Sequence, residues 1–234
     1  MSFEFDMKVI SLPRLENRRS RVGDLLLKQG ITAEIFDAHD GDSLSPSEIS
    51  EICSNSKISK YAVALAKSWK DVVSSISRPT IICEDDVIIE KDFFKKLKYA
   101  FKHLPEHGEQ NHWGLIYLSS YYNKNNKYLD NFTRRPDRIF SKKDFRESNE
   151  PFNWYSGNRM NECVKQINHL VHGTGCIIVN PLIKDLFQTI FPIEEEIDVE
   201  ISNKLILSKQ TKAYFLSYKG QRIAANDSLG GSSL

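Results

Sequence analysis

The sequence predicts an α/β fold: one domain with a mostly parallel central sheet and helices on both of its faces. Two patterns predict it. Short apolar, β-branched runs without polar alternation, such as Thr80-Ile81-Ile82-Cys83, suit strands covered on both sides. Between them lie longer segments whose apolar residues recur every three or four positions, and that β, α, β, α succession is what crossover helices require. A third observation places the working end. The run from Thr80 closes on Glu84-Asp85-Asp86 before apolar residues resume at Val87. Ligands of open α/β sheets bind outside the carboxyl ends of the strands. Three adjacent carboxylates there repel one another and call for a divalent cation, basic side chains or plain solvent.

The elements follow in order. Met7 to Leu12 is a first strand stopped by Pro13, and Leu15, Val22, Leu25 and Leu26 form the stripe of a helix that ends at Gly30. Arg14, Arg18, Arg19 and Arg21 line its other face. Such a run is either a solvated helix face or, just after the first strand, a seat for a diphosphate, with Arg14 and Arg18 as its contacts. Ile31 to Phe36 is a second strand. Ser45-Pro46-Ser47-Glu48 carries the N-cap, first-turn proline and capping-box glutamate of a helix start. Tyr61, Leu65, Trp69, Val72, Val73 and Ile76 mark the clearest helix and make Trp69 a core residue. Past the acidic run, Asp92 is placed to cap a helix through Phe93, Leu97 and Phe101, and Trp113 to Leu118 is a further buried strand.

The second half is less regular. Residues 123–159 hold nine Lys/Arg and five Asp/Glu with no helix or strand period, and form an expected acceptor-side loop. Phe152, Trp154 and Tyr155 there either wall a sugar or anchor the loop to the core. His172-Gly173-Thr174-Gly175 leads into the strand Cys176 to Val179, where small residues permit close approach of a ligand or backbone. Leu182 to Ile190 is a short helix. Glu194 to Glu200 then puts five acids in seven residues, with Ile193, Ile197, Ile201 and Leu205 facing inward and Asp198 and Glu200 in reach of a pocket edge. Ala213 to Leu216 is the last strand, and residues 226–234 a flexible tail; the core runs from about residue 7 to 225.

Composition excludes several classes. With 234 residues, 40% hydrophobic and 27% charged, the chain reads as soluble and globular, and a net charge of +1 excludes a general nucleic-acid binder. The start lacks the basic n-region and apolar stretch of a signal peptide, and no run is long enough for a membrane span. Cys53, Cys83, Cys163 and Cys176 form no CxxC pair, which fits a cytoplasmic setting, with peripheral attachment to a membrane through a basic surface left open. Neither GxGxxG nor GxxxxGK[ST] occurs, which weighs against dinucleotide binding and P-loop chemistry.

The ordered motifs resemble the family 25 glycosyltransferases, which include lipooligosaccharide and collagen galactosyltransferases. The resemblance rests on Val9-Ile10-Ser11-Leu12 followed by Arg18-Arg19, the turn Ala38-His39-Asp40-Gly41, Trp69 fifteen residues ahead of Glu84-Asp85-Asp86, His172-Gly173-Thr174, Ile197-Asp198 and Asn226-Asp227-Ser228. Many members carry a Ser-His pair shortly before the tryptophan, where this chain has Ala64 and Leu65. The resemblance implies a GT-A-like fold and an inverting, metal-dependent transfer of a hexose, galactose favoured, from a UDP-sugar to a glycan, lipid-linked or protein acceptor. It implies donor contacts at Leu12, Pro13, Arg14, Arg18, Glu84, Asp85, His172, Gly173 and Thr174. Mn²⁺ or Mg²⁺ would be held by Asp86 with Glu84, and the base would be Asp198 or, second, Glu200. A sugar nucleotidyltransferase and an inactive UDP-sugar-binding module are the alternatives.

Overall fold

The computed structural model describes residues 5–104, 113–120, 163–167, 170–171, 173–218 and 223–226. A seven-stranded sheet runs β2 (Glu34–Asp37), β1 (Asp6–Ser11), β3 (Thr80–Glu84), β8 (Cys176–Val179), β5 (Trp113–Tyr117), β9 (Lys212–Leu216), β7 (Val164–Ile167). The pairs β1–β2, β1–β3 and β5–β9 are parallel, while β3–β8, β5–β8 and β7–β9 are antiparallel. Five of the seven strands therefore point one way and β8 and β7 oppose them, the mixed but largely parallel sheet expected of a GT-A-like fold. A smaller sheet joins β4 (Val87–Ile89), β10 (Ala224–Asn226) and β6 (Ser119–Ser120).

Each strand sends alternate residues into two separate cores, as the two-residue strand period requires. On one face Ile10, Ile82 and Ile177 pack with Trp69, Val72 and Val73 of α3 (Lys60–Ser75), with Phe187 of α5 (Lys184–Gln188) and with Ile197 of α6 (Ile197–Glu200). On the other, Val9, Ile81 and Cys83 pack with Val22 and Leu26 of α1 (Glu16–Lys28) and with Phe93, Leu97 and Phe101 of α4 (Phe93–Phe101). Helices thus cover both faces, and Trp69 is fully buried core. Ile193, Ile197, Ile201 and Leu205 are all buried, as their spacing predicts.

The capping box of α2 (Pro46–Ile52) forms as expected: the Glu48 amide donates to the Ser45 hydroxyl, and the Glu48 carboxylate accepts from the Ser45 amide at 2.9 Å. Asp92 precedes α4 but does not cap it through its side chain. Its φ of 61° is left-handed, and no side-chain cap bond forms. The strand expected from Ile31 begins only at Glu34. Residues 123–159, with their aromatic cluster, lie outside the described residues.

The reversal of β8 matters most for the site. Because it runs against β3, its entry residues meet the carboxyl end of β3, and the Glu84 amide donates to the Gly175 carbonyl at 3.1 Å.

Two glycines test this packing. An added Cβ at Gly114 would lie 2.2 Å from Thr211 Oγ1 and 2.5 Å from Ile183 Cγ2, whereas at Gly23 in α1 nothing lies within 4 Å. Gly114→Ala should lower stability by about 1–3 kcal/mol, and Gly23→Ala should raise it by up to about 1 kcal/mol. Urea unfolding midpoints check both, and equal shifts would contradict the packing described.

Candidate active site

The carboxyl ends of β1 and β3, the loop after β2, the first half of α3 and the start of α6 enclose a cavity of about 550 Å³. Its acidic wall is the turn after β3. Asp85, 5% exposed, has both carboxylate oxygens engaged: Ser11 Oγ donates to Oδ2 at 2.7 Å, and Arg18 Nη2 pairs with Oδ1 at 2.7 Å. Arg21 Nη2 also donates to the Asp85 carbonyl at 3.2 Å. Arg18 reaches Asp86 Oδ2 only at 3.8 Å. That difference reduces the Coulomb attraction by about 30%, so both acids feel the guanidinium, but Asp85 is the closer ion-pair partner.

Asp86 is left differently placed. Its Oδ1 is buried without a hydrogen-bond partner among the described residues. Burial raises its carboxyl to about 6 against the pull of Arg18, and the charge of Asp85 adds to the rise. Glu84 is raised further, to about 7, by burial and by the charge of Asp86; the hydrogen bond from Thr174 Oγ1 opposes this, and Asp198 and Asp85 add to it. On the facing wall, Asp198 Oδ2 accepts from the Gly173 amide at 2.7 Å and Oδ1 from the Val199 amide at 2.8 Å, which fixes its carboxylate.

Of the residues singled out in the sequence, Leu12, Arg18, Glu84, Asp85, Asp86, Gly173, Thr174 and Asp198 border this cavity. His172 lies outside the described residues. Pro13 and Arg14 are exposed and off the wall. Arg14 Nε instead donates to Asp40 at 2.5 Å, which ties it to the loop after β2. Glu200 is also elsewhere. It is 3% exposed, accepts from the amides of Glu194 at 2.5 Å and Glu195 at 2.9 Å, and pairs with Lys204 at 3.1 Å. This carboxylate braces the entry to α6, which corrects its placement at the pocket edge.

Sequence reasoning passed over the third wall. Ser11, His39, Tyr61 and Ser68 line it, with Ala64 and Leu65 beside them. The His39 amide donates to Ser68 Oγ at 2.9 Å, and His39 Nε2 meets Asp71 Oδ2 at 2.7 Å. Gly41 is required here, because a Cβ would lie 2.7 Å from Tyr61 Cδ1 and 2.9 Å from the Lys60 carbonyl. The signals for it were the turn Ala38-His39-Asp40-Gly41, since turns at strand ends position ligands, and Ala64-Leu65 at the place of the family's Ser-His pair.

Among the described residues no three His, Cys, Asp or Glu side chains converge to hold a metal. The described residues therefore offer no complete protein cage. The orphaned Asp86 oxygen and the hard carboxylate donors do fit Mg²⁺ or Mn²⁺ of the kind held by one or two carboxylates plus phosphate and water.

Protonation at Glu84 has a consequence for stability. Its folded value lies above the ordinary 4.5, so between about 4.5 and about 7 the folded protein keeps a proton that the unfolded chain has released. Stability contributed there falls as pH rises through that window. Glu84→Gln should therefore stabilise the cation-free protein by on the order of 2 kcal/mol near pH 8 and much less near pH 5. Denaturant unfolding at both pH values reads this; a gain that is absent near pH 8 would contradict it.

Comparison with known proteins gives the site its context. The chain matches the model of Glycosyltransferase family 25 (LPS biosynthesis protein) over residues 6–201, a span that takes in every cavity-lining residue from Ile10 to Asp198. It is also similar to human procollagen galactosyltransferase 2, with 28% identity over 133 residues. That match spans 50% of this chain and 21% of the relative. The chain belongs to glycosyltransferase family 25.

Proposed function

We propose that this cavity transfers a hexose, galactose favoured, from a UDP-sugar to a hydroxyl of a glycan, lipooligosaccharide or protein, with inversion at the anomeric carbon. The observation that carries the reading is the unequal treatment of two neighbouring acids. Asp85 is paired with Arg18 and accepts a hydrogen bond from Ser11, while Asp86 keeps a buried oxygen with no partner among the described residues. Asp86, with Glu84 beside it, would hold Mn²⁺ or Mg²⁺, and such a cation would neutralise charge growing on the departing diphosphate. Arg18, already in the wall, adds a fixed positive charge for the same diphosphate.

Inversion needs one base on the side away from the leaving group. Asp198 suits this role. It faces the cavity from α6, across from the β3 turn, and two backbone amides orient its carboxylate. Thr174 and Gly173 hold Glu84 and Asp198 respectively, so this short entry to β8 ties the two acidic walls together. The galactosyltransferase named among the relatives favours galactose as the sugar.

One observation favours a second reading, donor binding without transfer. Ala64 and Leu65 line the cavity where many relatives carry Ser-His, and neither can donate or accept through its side chain.

UDP release from a panel of UDP-sugars, with Mn²⁺ and with chelator, separates the possibilities. Chelation and Asp86→Ala should each abolish release, and Asp198→Asn should lower turnover about 10²–10⁴-fold while donor binding persists. Chelator-resistant release that survives Asp86→Ala would remove the acidic turn from the mechanism. Tight donor binding with no release under any acceptor would favour the second reading.

A further inference from the structure

Helix α4 carries a feature the site does not use. Its buried side is Phe93, Leu97, Ala100 and Phe101. Its exposed side is lysine: Lys91 just before the helix, then Lys95, Lys98 and Lys102, spaced four, three and four residues apart, which places them in one row. Lys96 lies half-buried beside the row. Phe94 belongs to the same side and is 39% exposed. The acids Glu90 and Asp92 flank Lys91, but from Phe93 to His103 there is no acid at all. None of Lys95, Lys98 and Lys102 is in an ion pair among the described residues.

The charge is local. The whole chain is only +1, so a row of lysines without ion pairs among the described residues stands out from that balance. Lys95 to Lys102 spans about 10 Å along the helix, close to one Debye length, so the three charges act together on a nearby anionic surface. No helix among the described residues is long and apolar enough to cross a membrane.

We propose that the exposed side of α4 docks the protein on an anionic lipid surface. Clusters of four or more basic residues on an amphipathic helix attract anionic headgroups. One further feature favours lipid over nucleic acid. An exposed phenylalanine among the lysines suits the headgroup boundary, where an aromatic ring inserts beside the basic side chains. The face is also close to the site in the chain, since Lys91 follows Asp86 by five residues across β4. Docking by α4 would thus hold a cavity-bearing strand end near lipid-linked acceptors, although the lipid contact itself does not depend on the donor chemistry.

The test is co-sedimentation of the full chain with vesicles of phosphatidylcholine alone or with about one-third phosphatidylglycerol. Binding should require the anionic lipid and weaken as salt rises. The triple variant Lys95→Gln, Lys98→Gln, Lys102→Gln should lose on the order of a hundredfold in partitioning. A charge-matched control, Lys57→Gln, Lys209→Gln, Lys212→Gln, should stay within about twofold of the parent. Phe94→Ser should weaken vesicle binding without changing the salt dependence. Equal loss in both triple variants, or no loss in the α4 variant, would overturn the proposal. So would binding of a duplex oligonucleotide as tightly as the anionic vesicles, because the row would then be a general polyanion surface.

Discussion

The contact between Arg18 and Asp85 is the constraint on which the acidic end of the sheet depends. Three carboxylates in sequence at a buried strand end repel one another. Here the middle one is held from two directions, by the charge of the Arg18 guanidinium and a hydrogen bond from the Ser11 hydroxyl, each at 2.7 Å. Both partners come from the first strand and its crossover helix, so the parallel pairing of β1 with β3 is what brings them within reach. With Asp85 satisfied, the remaining cost falls on Glu84 and Asp86, whose carboxyls are pushed up to about 7 and about 6. Under the proposed function, a cation would take the place of those protons.

The second organising feature is strand direction. A parallel strand in the position of β8 would have brought its carboxyl end, and not its entry, to Glu84. The antiparallel course sends Gly173, Thr174 and Gly175 to the acidic turn, where one donates to Asp198 and the next to Glu84. The two acidic walls of the cavity therefore share a single three-residue support. The bracing of α6 by Glu200 works in the same sense, because it fixes the turn from which Asp198 projects.

How far the molecule could be read from its sequence depended on the kind of signal. Periodicity placed α1, α3 and α4 and the apolar strands β1, β3, β5, β8 and β9, because burial on both faces leaves a pattern in a single chain. Strand direction left no such pattern, so the reversal of β8 was invisible. Neighbouring acids were equally ambiguous. Spacing put Asp198 and Glu200 both near a pocket edge, yet one faces the cavity and the other turns back onto the amides of Glu194 and Glu195. Arg14 and Arg18 looked interchangeable as diphosphate contacts until Asp40 was found to hold Arg14 away from the wall. Asp92 had the right identity for a cap but the wrong backbone, a left-handed φ that composition does not reveal.

The proposed division of labour, with Asp85 structural and Asp86 for the cation, is open to one direct measurement. Free Mn²⁺ can be titrated by its paramagnetic resonance in the presence of UDP, against the parent chain, Asp85→Asn and Asp86→Asn. The division predicts one Mn²⁺ bound per chain in the parent, retained in Asp85→Asn to within about tenfold in affinity and lost in Asp86→Asn. Retention in Asp86→Asn, or a loss confined to Asp85→Asn, would contradict it.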